Sequence, residues 1–279
     1  GGSITGGASS NLVGSGYSYI GTLDLPTSIT ELNLLDLSRA NGCSLQGNLA
    51  VHQLDLNSGS FNVGVHTLTF YGALNIYGGT LNAGGNSTLS IQSGSVDIDL
   101  PPLNLFALIM NRSGRSCNLG GGTNVAELTM GAGTLNLGDH HLQVSSAARA
   151  TGGSLTGGSA SILTLANTVN LASISGGSLH LYNQLCPTTV DLIGPLSLDW
   201  LNLASGTLNL VDSYLTIFQG FEQTEISPCS GVMSGSSGSG MNLISNSNPE
   251  PWPVPEAMLG TLTVDLAGGC QFLGPVELL

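Results

Sequence analysis

The chain has 279 residues, 41 of them glycine, and no lysine. Its only cations besides histidine are Arg39, Arg112, Arg115 and Arg149, against 17 carboxylates and a net charge of −13. That balance excludes nucleic acid and anionic membrane as partners, because both require a basic face. Charged residues are only 8% of the chain, which excludes a charge-rich disordered polymer. No run approaches the ~18 apolar residues of a membrane-inserted segment; the longest is 105–110, LFALIM.

Taken in order, the chain opens with GGSITGGASSNL at 1–12, which matches GGSLTGGSASIL at 152–163. Residues 54–70 (LDLNSGSFNVGVHTLTF) then begin a series of triplets with apolar ends and a polar middle. Triplet starts fall at Leu54, Phe61, Leu68, Leu74, Leu81, Leu89 and Val96, six to eight residues apart. A triplet of this kind is a very short strand with two side chains in and one out. The glycines between triplets supply turns. Three steps close a coil of roughly 20–22 residues, which predicts an all-β parallel β-solenoid with about three short strands per coil. Leu54, Leu74 and Val96 are expected on one face, and Phe61 on Leu81 on the next. Leu56, Val63, Phe70, Ile76, Leu81 and Ile91 are expected inside, and Asn62, Asn82, Asn136 and Asn209 outside. A β-sandwich is the structural rival, but it wants longer strands.

The triplets return at 128–144 (LTMGAGTLNLGDHHLQV) and at 201–217 (LNLASGTLNLVDSYLTI), and Cys43 recurs as Cys117, 74 residues on. This longer period divides the chain into 1–24 (the end of a unit), units 25–99, 100–184 and 185–253, and 254–279 (the start of a fourth). The chain therefore reads as a window on a longer array, without initiator Met or signal peptide. The third unit departs at 218–253, where a Ser/Gly run and a PEPWP tail replace triplets. Alternating prolines remove ladder donors, so this segment is expected to leave the solenoid as a lateral loop, with 241–244 re-entering as a strand. On that loop Phe218, Phe221 and Trp252 form a candidate contact patch for glycan or a neighbouring chain. The five cysteines contain no CxxC pair. Cys43 and Cys117, several coils apart, are expected to be buried and unbridged; the state of Cys186, Cys229 and Cys270 is left open.

The string LIMNRSG at 108–114, the LPTSITEL start at 25–32 and GTLNLGDHHLQV at 133–144 resemble repeats of very large Bacteroidetes surface proteins exported by the type IX secretion system. The resemblance implies an extracellular or cell-surface location. It implies adhesive or gliding-related roles, the secretion machinery as a transient partner, further repeats of the same polypeptide as neighbours, and no catalytic residues.

Read from the residues themselves, Asp139, His140 and His141 are the candidate metal ligands, with His66 one unit earlier. No third ligand stands at ligand spacing, so they read equally as residues of a solvated turn; His52 and His180 are isolated. No cofactor is expected. Calcium is the one ion that Asp55, Asp97, Asp139, Asp191, Asp199 and Asp212 could hold at coil corners, but one carboxylate per coil does not supply 6–8 oxygens. The favoured function is a structural and adhesive segment of a long surface fibre, contacting glycans or surfaces. The alternatives are a polysaccharide-degrading β-helix enzyme, which needs two carboxylates facing each other on one groove where the coil pattern offers Asp55 and Asp97 on one stacked face but two coils apart with Asn75 between them, and a trimeric phage-type fibre. Outward Asn, Asp and Tyr71, Tyr77, Tyr182 and Tyr214 suit weak sugar contacts or a plain solvated surface; the mixed outward residues do not suit ice binding.

Overall fold

A computed structural model describes residues 6–15, 23–38, 41–158, 160–165, 169–171, 173–175, 178–181, 189–192, 195–203, 207–222, 232–245, 252–254, 256–267, 270–272 and 275–279. The fold is all-β, a parallel β-solenoid of stacked coils, without helix among the described residues. Two units pack separately, Gly1–Thr134 and Leu135–Leu279.

In the first unit, inward leucines stack in continuous columns because each coil returns to the same side after about 20 residues. Leu12, Leu35, Leu54 and Leu74 align on one side. Leu49, Leu68, Leu89 and Leu108 align on a second, and Cys43, Phe61 and Leu81 on a third. All but half-buried Leu12 are under 9% exposed. Each fully buried apolar side chain contributes roughly 1.5–3 kcal/mol relative to exposure, so the columns are the core. Two sides are often joined in one long strand, as in Leu49–Ser58 and Thr67–Ile76, with a bulge where the chain turns the corner between Val51 and Gln53.

Leu56, Val63, Phe70, Leu81 and Ile91 are buried as the alternation predicts. Ile76 and Val96 are not, at 37% and 42% exposed. Ile76 ends its strand at a tight corner, where the N–H groups of Tyr77, Gly78 and Gly79 all converge on the Leu56 carbonyl. Val96 does not join the column of Leu54 and Leu74; its carbonyl is taken by Arg112, and Ile98 becomes the inward residue, paired with Cys117. Cys43 and Cys117 are both buried, in the neighbourhoods of Phe61 and Ile98 respectively. Of the four asparagines expected outside, Asn82 is exposed, while Asn62, Asn136 and Asn209 are half-covered. Their amides bond to neighbours, as in Asn82 Nδ2 to Asn62 Oδ1 (3.0 Å) and Asn209 Nδ2 to Asp191 Oδ1 (2.9 Å).

In the second unit Leu142 aligns with Leu163, Leu179 and Leu201. Leu215, the counterpart of Leu142 73 residues on, does not join them. It pairs with Leu196 and Met241 on another side. A period of 73 residues on coils of about 20 is roughly three and two-thirds turns, so this recurrence within the second unit moves the pattern to another side of the coil. Part of the segment 218–253 also winds. Val232–Gly235 and Gly240–Ser245 are strands in register with 207–210 and 214–217. The expected re-entry of 241–244 as a strand is found, and the expected lateral loop is corrected for 232–239: 232–235 is a coil strand, 236–239 makes the turn between the two strands, and Met233, Met241 and Leu243 fill the core. These coils accommodate the surplus by lengthening, from Thr207 to Val232 and from Tyr214 to Gly240.

Corners repeat as tight turns closed by a buried serine. Ser87 N and Oγ bond Gly84 O (2.8 and 2.6 Å), Ser161 N and Oγ bond Gly158 O (3.0 and 2.8 Å), and Ser239 N and Oγ bond Ser236 O (3.0 and 2.7 Å). Gly64, Gly138 and Asp212, spaced by 74, all hold left-handed φ (68°, 56° and 49°), a geometry that glycine adopts without strain.

Candidate functional site

The outer surface is built by the same alternation that builds the core: the middle residue of each triplet points out, directly above its counterpart in the next coil. Polar middles therefore meet in ladders. Asn75 Nδ2 donates to Asp55 Oδ1 (2.7 Å) and Asn118 Nδ2 to Asp99 Oδ1 (2.7 Å), while Asn57, just past its triplet, donates to Asp36 Oδ1 (2.7 Å). Asp97 accepts the Ser116 backbone N–H at 2.8 Å, and Asp212 accepts the Ser236 hydroxyl. These aspartates are thus engaged in joining coils. The aligned neighbours of Asp55 are Asp36 and, as expected, Asn75.

Asp139 is exposed at a turn, with its carboxylate lying over Gly158. His140 closes that turn through its backbone (N to Leu137 O, 3.0 Å). His141 begins the strand His141–Ala150, and its Nε2 lies 2.8 Å from Thr164 Oγ1 one coil on. His66 closes the matching turn in the first unit. Among the described residues no group of three or more His, Cys, Asp and Glu converges as a metal site would.

Of the candidate contact patch, Trp252 is withdrawn from the surface. Trp252 is 2% exposed in the short strand Trp252–Val254, paired with Cys270–Phe272. The segment 252–254 is a strand facing the core, and the indole fills the interior instead of standing out on a lateral loop. Phe218 is 44% exposed; the side chain of Phe221 lies outside the described residues, as do those of His180 and Tyr182, and Cys186 and Cys229 entirely. Cys270 is half-buried.

Two features escaped the reading of the sequence. Arg112 is fully buried. Its Nε donates to Val96 O (2.8 Å), Nη1 to Gln92 O (2.9 Å) and Nη2 to Gly72 O (2.9 Å) and Val96 O. Burial lowers its pKa, opposed by the Cys117 and Asp97 charges. The second feature is a corner of planar polar side chains. His52 Nε2 lies 3.3 Å from Glu31 Oε1, and its ring stacks on Tyr71 with centroids 5.3 Å apart and planes at 28°. Farther along, Asn111 Nδ2 donates to Gln92 Oε1 at 3.4 Å. In the second unit, Val232, Ser234, Glu256, Met258, Pro275 and Glu277 line a shallow cleft of 120 Å³.

Comparison with family models, with curated proteins and with solved structures returned no significant match.

Proposed function

We propose that this chain is a structural and adhesive segment of a long extracellular surface fibre. The observation that carries the reading is the use of coil after coil for one purpose: inward apolar columns and outward amide–carboxylate ladders that tie each coil to the next. Such a fold lengthens by adding coils, with each new coil stabilised by its neighbour. The acidic, lysine-free surface suits a secreted solenoid held off polyanions. The resemblance of 108–114 and 133–144 to type IX-exported Bacteroidetes repeats supports a cell-surface location, passage through that secretion machinery, attachment or gliding as the setting, and further repeats as neighbours. Antibody against the chain should label intact source cells, and external protease should remove the signal. Labelling only after permeabilisation refutes the surface reading.

A polysaccharide-degrading enzyme is the second reading, and one observation favours it: Glu256 and Glu277 line the same cleft, and glycosidases act through paired carboxylates. Glycan turnover that disappears in Glu256→Gln would establish it; no product from neutral or acidic glycans would remove it.

A further inference from the structure

We infer that Asn33, His52, Tyr71, Gln92 and Asn111 form a docking strip for one extended, uncharged polysaccharide strand. This inference rests on the adhesive reading above and names its ligand class. Each of the five directly follows an inward residue of one aligned column, Leu32, Val51, Phe70, Ile91 and Met110. They therefore occupy one corner of five successive coils, a line of ~19 Å at about 4.8 Å per coil.

All five side chains end in a planar group. Asn33, Tyr71 and Asn111 are exposed, and His52 and Gln92 are half-exposed. Asn33 gives one amide hydrogen to Asn11 (2.9 Å) and Asn111 gives one to Gln92 (3.4 Å). A carboxamide offers two donors and a two-lone-pair acceptor, so each retains capacity for a ligand. Planar amides pair well with neighbouring hydroxyls on a sugar ring. The Tyr71 ring, backed by the His52 imidazole, offers an aromatic surface to the ring's C–H face while its hydroxyl stays polar.

The corner is also rigid. The carbonyls held by buried Arg112 belong to Gly72 and Gln92, beside and within the strip, and to Val96. A side chain at Gly72 would overlap the His52 carbonyl, so these coils are in close approach. Groups fixed before binding lose less entropy on binding.

Charge and width select among occupants. The strip has no exposed cation, Glu31 adjoins His52, and the chain carries −13; an acidic glycan is repelled. A line one side chain wide is too narrow for the ~800 Å² per partner of a stable protein interface. A linear neutral glycan laid along the axis meets one planar group per coil.

The test is affinity electrophoresis of the whole chain in gels containing hydroxyethylcellulose, laminarin, galactomannan or alginate. Wild type is compared with Tyr71→Ala, Asn111→Ala and, as an aromatic control, Tyr214→Ala, which is 48% exposed in the second unit. Circular dichroism establishes that each variant is folded. We expect retardation by at least one neutral polymer and none by alginate. Tyr71→Ala should weaken binding at least tenfold, Asn111→Ala severalfold, and Tyr214→Ala should bind like wild type. Retardation by no neutral polymer, retardation by alginate, unchanged binding in folded Tyr71→Ala, or an equal loss in Tyr214→Ala overturns the strip. Surface labelling is read separately: a surface-exposed chain that binds no glycan refutes the strip alone, and a glycan-binding chain confined inside cells refutes the surface reading alone.

Discussion

Replacing Arg112 with methionine keeps most of the apolar stem and removes the guanidinium. The carbonyls of Gly72, Gln92 and Val96 then lose their side-chain donor inside a closed wall. A buried polar group left without a partner costs about 1–3 kcal/mol, and hydrogen bonds to a charged donor lie at the upper end. Three carbonyls give a gross loss of roughly 3–9 kcal/mol. Against this stands the cost of burying the cation, which the folded chain no longer bears; that cost is what lowers the guanidinium pKa. We expect a net loss of about 3–5 kcal/mol, the range for removing one partner of a buried charge interaction. Arg112→Lys, with a point charge and no fork, should lose less but not recover wild type. Urea denaturation gives the shift in midpoint. Because stacked coils open locally, amide exchange in Thr67–Ile76, Thr88–Ile91 and Asn104–Leu119 is the sharper assay, with protection falling about two to four orders of magnitude. Wild-type exchange and midpoint in Arg112→Met would refute the reasoning, since the carbonyls would then be satisfied without the side chain.

Leu135 is 0% exposed, and Leu135→Asp, which buries a charge in a core one coil wide, should lower stability by several kcal/mol in a thermal melt; full retention would count against the packing. Gly64 and Gly72 separate two causes. Gly64→Ala meets only His66 Cδ2, at an ordinary contact distance of 3.7 Å, and loses stability through its φ of 68° alone, about 1–2 kcal/mol. Gly72→Ala strikes the His52 backbone and should cost more in urea midpoints, with equal losses opposing this account. Burial pushes the Cys117 thiol from 9.0 up to about 12. The neutral thiol is favoured by the fold, so its contribution is fully present below pH 9 and is lost as pH rises towards 12, at up to about 1.4 kcal/mol per unit. Cys117→Ala should flatten that alkaline decline, and an unchanged slope would show that the thiol is not the source. Deleting 218–253 removes Met233, Met241 and Leu243 from the core and should abolish cooperative folding of Leu135–Leu279; a deletion variant with native stability would contradict the pairing of Leu215 with Met241.

The sequence by itself determined the coil, because its causes are local. Period-two alternation decides which residues of LDL, FNV or TLNL face in, and Gly64 and Gly138 mark the turns through their backbone freedom. The inward burial of Leu54, Phe61 and Leu68 was legible on those grounds. The stacking of Leu54 with Leu74 and of Phe61 on Leu81 was legible too, but which residue of one coil stands over which residue of the next was not legible wherever the step between triplets changes. That depends on the count of residues around each turn, and single steps in that count, such as the bulge between Val51 and Gln53, shift every later neighbour. Tyr71 therefore meets His52, Arg112 reaches back to Gly72, and Leu215 leaves the column of Leu142 although the sequence unit equates them. Trp252 shows the same limit from the other direction: proline spacing described its backbone, but whether the indole faced water or core was decided by the coil packed against it. Local pattern is additive along a chain, whereas registry accumulates every insertion before it, and only the folded stack resolves the sum.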